Sequence, residues 1–295
     1  MVRKSFGDLD KPFSEYKNSK IVILPIPFDA TCTWITGSSQ GPDAILSASA
    51  NMELYDIETR QEVYKLGIHT DETIKETKSS DLMVDEVFQR INQHLKSDKF
   101  IVSLGGEHSV SIGSFKAHNL NFSDLTIIQL DAHADLRDQY MGSGLNHACV
   151  MARAKEFCPI VQVGIRSMSS DETKVLDEER MFYAHDIKNT RDWYKKVSEK
   201  IKDHVYLTID LDVFDPSIMP STGTPEPAGL DFDDVLNFVK YVIDNHILVG
   251  FDVVELCPNK INRSPDFLAA KLIYMILSYR FKSITESGAH STFFR

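Results

Sequence analysis

Leu125-Thr126-Ile127-Ile128-Gln129-Leu130-Asp131-Ala132-His133-Ala134-Asp135 joins an apolar run directly to a polar cluster. Residues 125–130 read as a strand. Asp131 and His133, two apart at its end, can point to the same face, and Asp135 lies one further step along. The pattern recurs three times. The strand-like stretch Phe100–Leu104 leads into Gly105-Gly106-Glu107-His108-Ser109, Val205–Ile209 into Asp210-Leu211-Asp212, and Ile247–Phe251 into Asp252-Val253-Val254-Glu255.

Helical spacing fills the intervals. Val84, Val87, Phe88, Ile91 and Leu95 predict a helix before Phe100–Leu104. Further helices are predicted around Ala148–Phe157, through Trp193, Val197 and Ile201, and through Val235, Leu236, Val239 and Val242. Ser264-Pro265 reads as a cap with proline at the first helical position, opening a helix to about Tyr279. Ile21–Pro25 and Ile160–Val163 read as further strands. This alternation predicts an α/β fold with a mostly parallel sheet covered by helices on both faces. There is no linker-like, repetitive or low-complexity stretch, so a single domain over residues 1–295 is expected. In open parallel sheets ligands bind beyond the carboxyl ends of the strands, which is where the polar clusters fall.

Each cluster alone has an ordinary explanation. An Asp at a strand end can cap the next helix, and a His after a glycine pair can be a loop residue. Together they bring up to six ligand-type side chains, His108, Asp131, His133, Asp135, Asp210 and Asp212, to one sheet edge. Burying so many carboxylates without cations is very unfavourable, and metal ions supply the missing charge. Two His, four Asp and no Cys suit Mg or Mn, with imidazole favouring Mn and with Zn as the alternative. Four Asp exceed the need of one ion, so two Mn ions sharing carboxylates are expected, about 3.5–4 Å apart and able to activate a water.

The net charge of −11 disfavours a nucleic-acid partner and mildly favours a small cationic substrate, although solubility alone would also account for it. Hydrophobic residues make up 42% of the chain without a run long enough to span a membrane. The polar start, Met1 to Lys20, lacks the apolar core of a signal peptide, so a cytoplasmic location is expected. Cys32, Cys149, Cys158 and Cys257 form no CxxC pair and read as free thiols.

Gly105-Gly106-Glu107-His108-Ser109, Asp131-Ala132-His133-Ala134-Asp135 and Asp210-Leu211-Asp212-Val213-Phe214-Asp215-Pro216, in this order, resemble the metal motifs of the ureohydrolases, the family of arginase and agmatinase. Pro27-Phe28-Asp29 with Gly37 and Gly41-Pro42, Thr222-Gly223-Thr224-Pro225-Glu226 with Gly229-Leu230, and Asp252 to Glu255 extend the resemblance over most of the chain. It implies a three-layer α/β/α fold, a homotrimer or homohexamer, and release of urea from a guanidino compound. One ion would be held by His108, Asp131, Asp135 and Asp210, the other by Asp131, His133, Asp210 and Asp212, with Asp131 and Asp210 bridging. His147 corresponds to a non-ligand histidine that shuttles protons, although its Asn-His-Ala setting differs from the His-Gly of many members. Glu255 corresponds to the carboxylate that holds the substrate guanidinium, with an ion pair to a structural Arg such as Arg166 as its alternative. In that scheme Asp135 passes a proton to the leaving amine and His147 exchanges protons with solvent.

The segment Gly164-Ile165-Arg166-Ser167-Met168-Ser169 lacks the two Asp residues that arginases carry, and Asp135-Leu136-Arg137-Asp138 looks like agmatinases of the prokaryotic type. Agmatine is therefore the expected substrate and putrescine the product, ahead of aminopropylagmatine, guanidinobutyrate and arginine. A deacetylase of related fold would be expected to show a His-His pair, which is absent from the sequence. A decayed, non-catalytic binding protein would be expected to have lost ligands, and all six are present.

Overall fold

Eight parallel strands, in the order β2-β1-β3-β8-β7-β4-β5-β6, form one sheet in the computed structural model, which describes residues 4–190 and 192–283. The expected 1–295 domain thus extends at both ends beyond the described residues. In chain order the elements are β1 (Ile21–Ile26), α1 (Gly41–Ser49), β2 (Ile68–Thr70), α2 (Ser80–Leu95), β3 (Phe100–Gly105) and α3 (Ser111–Asn121). They continue with β4 (Leu125–Leu130), α4 (Val150–Ala154), β5 (Ile160–Ile165), β6 (Met181–Tyr183), α5 (Ala184–Asn189) and α6 (Trp193–Ser198). β7 (His204–Asp210), α7 (Phe232–Asn245), β8 (Ile247–Val254) and α8 (Ser264–Arg280) complete them.

Strands β1, β3, β4 and β5 are buried along their whole length, which is why they read as unbroken apolar runs. Alternate side chains go to opposite faces. Phe100, Val102 and Leu104 of β3 join a core that also holds residues of α1, α7 and α8, whereas Ile101 joins a second core with residues of α2, α3 and α4. The sheet is thus the middle of three layers.

Helix starts follow local rules. Asp231 and Asp234 form a reciprocal capping box at α7, and Ser79 accepts from the Leu82 N–H at α2. At α8 the expected Ser264 cap is not made: Arg263 is the N-cap without a side-chain cap bond, Ser264 is the first helical residue and Pro265 the second. Two expected helices are shorter than their apolar spacing suggested. The Ala148–Phe157 helix is a 3-10 turn at His147–Cys149 followed by the five residues of α4, and the Trp193 helix closes at Ser198. β2, β6, α1 and α3 carried too little periodicity to be read: the strands have three residues each and α3 is buried on most sides.

Leu104 pairs with Val253, Val253 with Ile209, and Ile209 with Leu130. One row across β3, β8, β7 and β4 therefore sets the four polar clusters side by side at the centre of the carboxyl edge. Gly106 is the tightest point of this edge. Its N–H donates to Ile26 O, its carbonyl accepts from Glu255 N–H, and a Cβ there would lie 2.1 Å from Phe28 O. Gly106→Ala must push the Phe28 backbone away from this loop and so strain the two hydrogen bonds that flank it. It should cost about 1–3 kcal/mol, seen as a lowered thermal midpoint, together with weakened cation uptake by the adjoining His108 loop. An unchanged midpoint would show that the loop yields freely.

Candidate metal centre

The carboxyl edge opens on a cavity of about 270 Å³ lined by His108, His133, Asp135, His147, Asp210, Asp212 and Glu255 among others. His108 begins a 3-10 turn after β3, Asp131, His133 and Asp135 lie on the loop after β4, and Asp210 and Asp212 flank the end of β7. His108, Asp131 and Asp135 offer ligand atoms within 4.8 Å of one another, as do Asp131, His133 and Asp212. Asp131 belongs to both groups. Asp210 Oδ2 lies 3.4 Å from His108 Nδ1, while its Oδ1 accepts from the Asp212 N–H. All six sequence-singled side chains thus meet around one volume.

Asp131 is held from behind. Gln129 Nε2 donates to its Oδ2 at 2.7 Å, Gln162 Nε2 donates to Gln129 Oε1, and the His133 N–H donates to Asp131 Oδ1. The segment 212–214 is held by Arg166, whose guanidinium donates to the carbonyls of Asp212, Val213, Phe214 and Glu226. Arg166 is thus occupied by peptide oxygens, while Glu255 Oε1 accepts from the His108 N–H at 2.7 Å. Asp135 and Glu255 both adopt positive φ, 52° and 67°. Non-glycine residues take this conformation at a cost, and such strain concentrates at functional sites.

The electrostatics show negative charge without enough compensation. Burial raises the Asp135 carboxyl to about 7, helped by the charge of Asp131. Burial raises Glu255 to about 8, with Glu107 adding to it. Burial and then Asp212 and Asp131 hold Asp210 well above the carboxylate range. Asp131 is held low although burial opposes this, because His108 and His133 adjoin it. The same carboxylates raise His108 and His133 against the effect of burial.

Divalent cations fit this donor set on geometric grounds. His108 Nδ1 lies 3.1 Å from Asp131 Oδ2 and 3.2 Å from Asp135 Oδ2. It is buried, and among the described residues it makes no directed hydrogen bond. An imidazole nitrogen ringed by three carboxylates with no bond to any of them is placed to share a cation with them. A cation would also relieve the repulsion that raises Asp135 and Asp210.

His147 lies at the wall. Thr31 Oγ1 is 3.2 Å from its Nδ1 and also accepts from its backbone N–H. Burial, then the proximity of His108 and His133, lower it to about 4, so it stands neutral. Thr31 donates in turn to the buried Glu107. Sequence reading passed over Thr31, which carries no motif signal, and treated Glu107 only as part of a motif. Glu172 was also missed. It lines the cavity, accepts from Leu136 N–H and from Ser169 N–H and Oγ, and so ties the loop after β4 to that after β5. Its position eight residues after Gly164 carries no local signal.

The model of the arginase family matches residues 19–278. The N(1)-aminopropylagmatine ureohydrolase of Synechocystis sp. is 35% identical over 277 residues, covering 90% of each chain. The agmatinase of Pyrococcus horikoshii is 29% identical over 273 residues, covering 92% of this chain and 95% of the relative. The crystal structure of agmatine ureohydrolase of Thermoplasma volcanium superposes with a TM-score of 0.84 at 32% identity, over 92% of this chain and 93% of that one.

Because Asp131 is shared by both ligand groups, Asp131→Ala should abolish uptake of both cations, whereas His108→Ala should weaken mainly one. Elemental analysis after dialysis reads the stoichiometry, and two ions retained by Asp131→Ala would refute the shared role. Cation uptake should also release protons. The raised Asp135 is protonated below about pH 7 in the metal-free chain and must ionise to bind. Asp210, His108 and His133 are raised as well and give up protons on binding, so apparent affinity should rise at least about tenfold between pH 6 and pH 8, by calorimetry in buffers of different ionisation enthalpy. An affinity flat across that range would contradict it.

Proposed function

The chain belongs to the arginase family, and on that premise we propose that it releases urea from a terminal guanidino amine at a two-cation centre held by His108, Asp131, His133, Asp135, Asp210 and Asp212. The observation that carries this reading is the pair of ligand groups sharing Asp131 at a cavity that also presents Glu255 and His147. The ligand chemistry, carboxylate-rich with imidazole and no thiolate, favours Mn over Zn. Bound there, the cations would supply the Lewis acidity that makes a water nucleophilic at neutral pH.

The protein's own groups do the rest. Glu255 has one oxygen fixed by the His108 N–H, which leaves the other to accept from the substrate guanidinium. Asp135, on its strained loop, takes the proton given up by the attacking water and delivers it to the leaving amine. His147, neutral and held at Nδ1 by Thr31, exchanges that proton with solvent. Products are urea and an amine. We assign the reaction to polyamine supply in the cytoplasm, in a homotrimer or homohexamer of one-domain chains.

A cationic tail suits the cavity. Its wall carries Trp34, Ile35, Tyr140 and Met168 beside Ser167 and Ser169, an apolar length for a polymethylene chain, and the Asp and Glu carboxyls at its inner end favour a cation. Agmatine and aminopropylagmatine are therefore the first substrates to test. One observation favours a second reading. Arg137 also lines the cavity, stacked over the Tyr140 ring at 4.8 Å and with its Nε 3.9 Å from Glu172, and would accept a carboxylate such as that of guanidinobutyrate by exchanging that ion pair. The acidic field works against such an anion.

Urea release under equal Mn and pH conditions separates these substrates. By kcat/KM the guanidino amines should exceed arginine by about a hundredfold or more, the equivalent of leaving a partly buried carboxylate unpaired. A preference for arginine or guanidinobutyrate would show that Arg137, not the acidic field, sets the choice. His147→Ala should keep its cations and lose about 10²–10⁴-fold in kcat. Loss of cations would instead make it a ligand.

A further inference from the structure

Behind His108, on the side away from the cavity, lies a buried relay that the proposed chemistry does not use. His108 Nε2 is 2.9 Å from Thr208 Oγ1, and Thr208 Oγ1 donates to Asp252 Oδ1 at 2.6 Å. The Tyr206 phenol donates to Asp252 Oδ2 at 2.8 Å. Tyr206, Thr208 and Asp252 are fully buried. Thr208 and Asp252 face each other across the sheet as a register pair of β7 and β8, so backbone pairing fixes their approach.

A hydroxyl has one proton. Both oxygens of Asp252 act as acceptors, so Thr208 places its proton on Asp252, and the contact to Ser111 Oγ at 3.4 Å is too long to compete. The Thr208 oxygen then offers His108 only lone pairs, and His108 Nε2 must be the donor. In a neutral imidazole that leaves Nδ1 without a proton. Nδ1 is the nitrogen ringed by Asp131, Asp135 and Asp210 without a directed hydrogen bond.

We propose that Thr208 and Asp252 are positioning residues that hold the proton of His108 on Nε2 and so present Nδ1 as the donor to the cation. This rests on the reading of His108 as a ligand and assigns a role to Asp252. A buried carboxylate is costly unless it is hydrogen-bonded. Here both its oxygens are bonded, and one of the bonds reaches a candidate ligand through a single hydroxyl.

The test uses the full chain and Mn²⁺ or Zn²⁺ alone. Thr208→Val removes the hydroxyl at nearly constant volume, and Thr208→Ser keeps it. In calorimetric titration with Mn²⁺, Thr208→Val should weaken one of two binding events by about 10–100-fold, while Thr208→Ser keeps wild-type affinity. Near-ultraviolet circular dichroism shows whether Thr208→Val retains its fold. Independently of any variant, nitrogen–proton correlation spectra of the Zn²⁺-loaded wild type should show the His108 proton on Nε2 and the metal shift on Nδ1. Equal affinities of wild type and a folded Thr208→Val would overturn the inference. So would a Thr208→Ser variant as weak as Thr208→Val, or a wild-type proton on Nδ1. A wild-type chain that takes up no cation would sink the metal-centre reading along with the relay. If instead cations bind as described and no urea is formed, only the proposed function falls.

Discussion

The concentration of negative charge at the carboxyl edge of four adjacent central strands governs much of the surrounding structure. Asp131, Asp135, Asp210 and Asp212 converge on a volume where none of them can be fully hydrated. Two histidines supply part of the compensation and hold Asp131 low, yet Asp135, Asp210 and Glu255 remain well above their ordinary range. A chain that placed these groups together without a cationic partner would carry a large desolvation cost for no return. The ligand geometry, the raised carboxyls and the unbonded nitrogen of His108 are therefore three consequences of one constraint. Divalent cations held there would relieve the raised carboxyls and satisfy the His108 nitrogen together.

Holding like charges together requires a frame that does not relax. Part of it is backbone. Glycine at 106 lets the β1 and β3 ends and the Glu255 loop approach closely, and Asp135 and Glu255 are kept in strained conformations by their surroundings. Arg166 serves the same end with a charge. Its guanidinium donates to carbonyls of the segments that carry Asp212 and Glu226, so it stiffens the site while its charge also faces Asp212 and Asp131. At the N-terminal loop, Asp29 accepts from Gly37 and Ser39 N–H and closes the segment that leads from Cys32 to Ile35 along the cavity.

Hydrogen-bond direction orders the histidines. His108 is backed by Thr208, His147 by Thr31, and each threonine gives its proton to a buried carboxylate, Asp252 or Glu107. A hydroxyl between an imidazole and a carboxylate leaves the imidazole one way to be satisfied, so the far ring nitrogen is defined by groups on the other side of the ring. The substrate end is organised by looser means, through Glu172 bridging two loops and Arg137 resting on Tyr140.

The apolar runs of β1, β3, β4, β7 and β8, and the polar clusters at the ends of four of these strands, were legible in the sequence because both are local, although β8 runs on through Asp252 to Val254 and only Glu255 of its cluster lies beyond it. A buried parallel strand must be apolar throughout, and residues two apart at its end must share a face. The same reasoning singled out the six acids and histidines that meet in the structure, and a resemblance carried His147 and Glu255. β2, β6, α1 and α3 escaped it, since three-residue strands and a helix buried on most sides carry no periodicity. The strand order belongs to the tertiary structure. Pairing of Leu104 with Val253 and of Ile209 with Leu130 joins residues up to about 150 positions apart, and nothing local specifies it. Thr31, Thr208, Glu172 and the partners of Arg166 also became visible only there. Their roles are hydrogen bonds between side chains brought together by the sheet register, and a hydroxyl or carboxylate reads the same in a sequence whether it faces water or completes a relay.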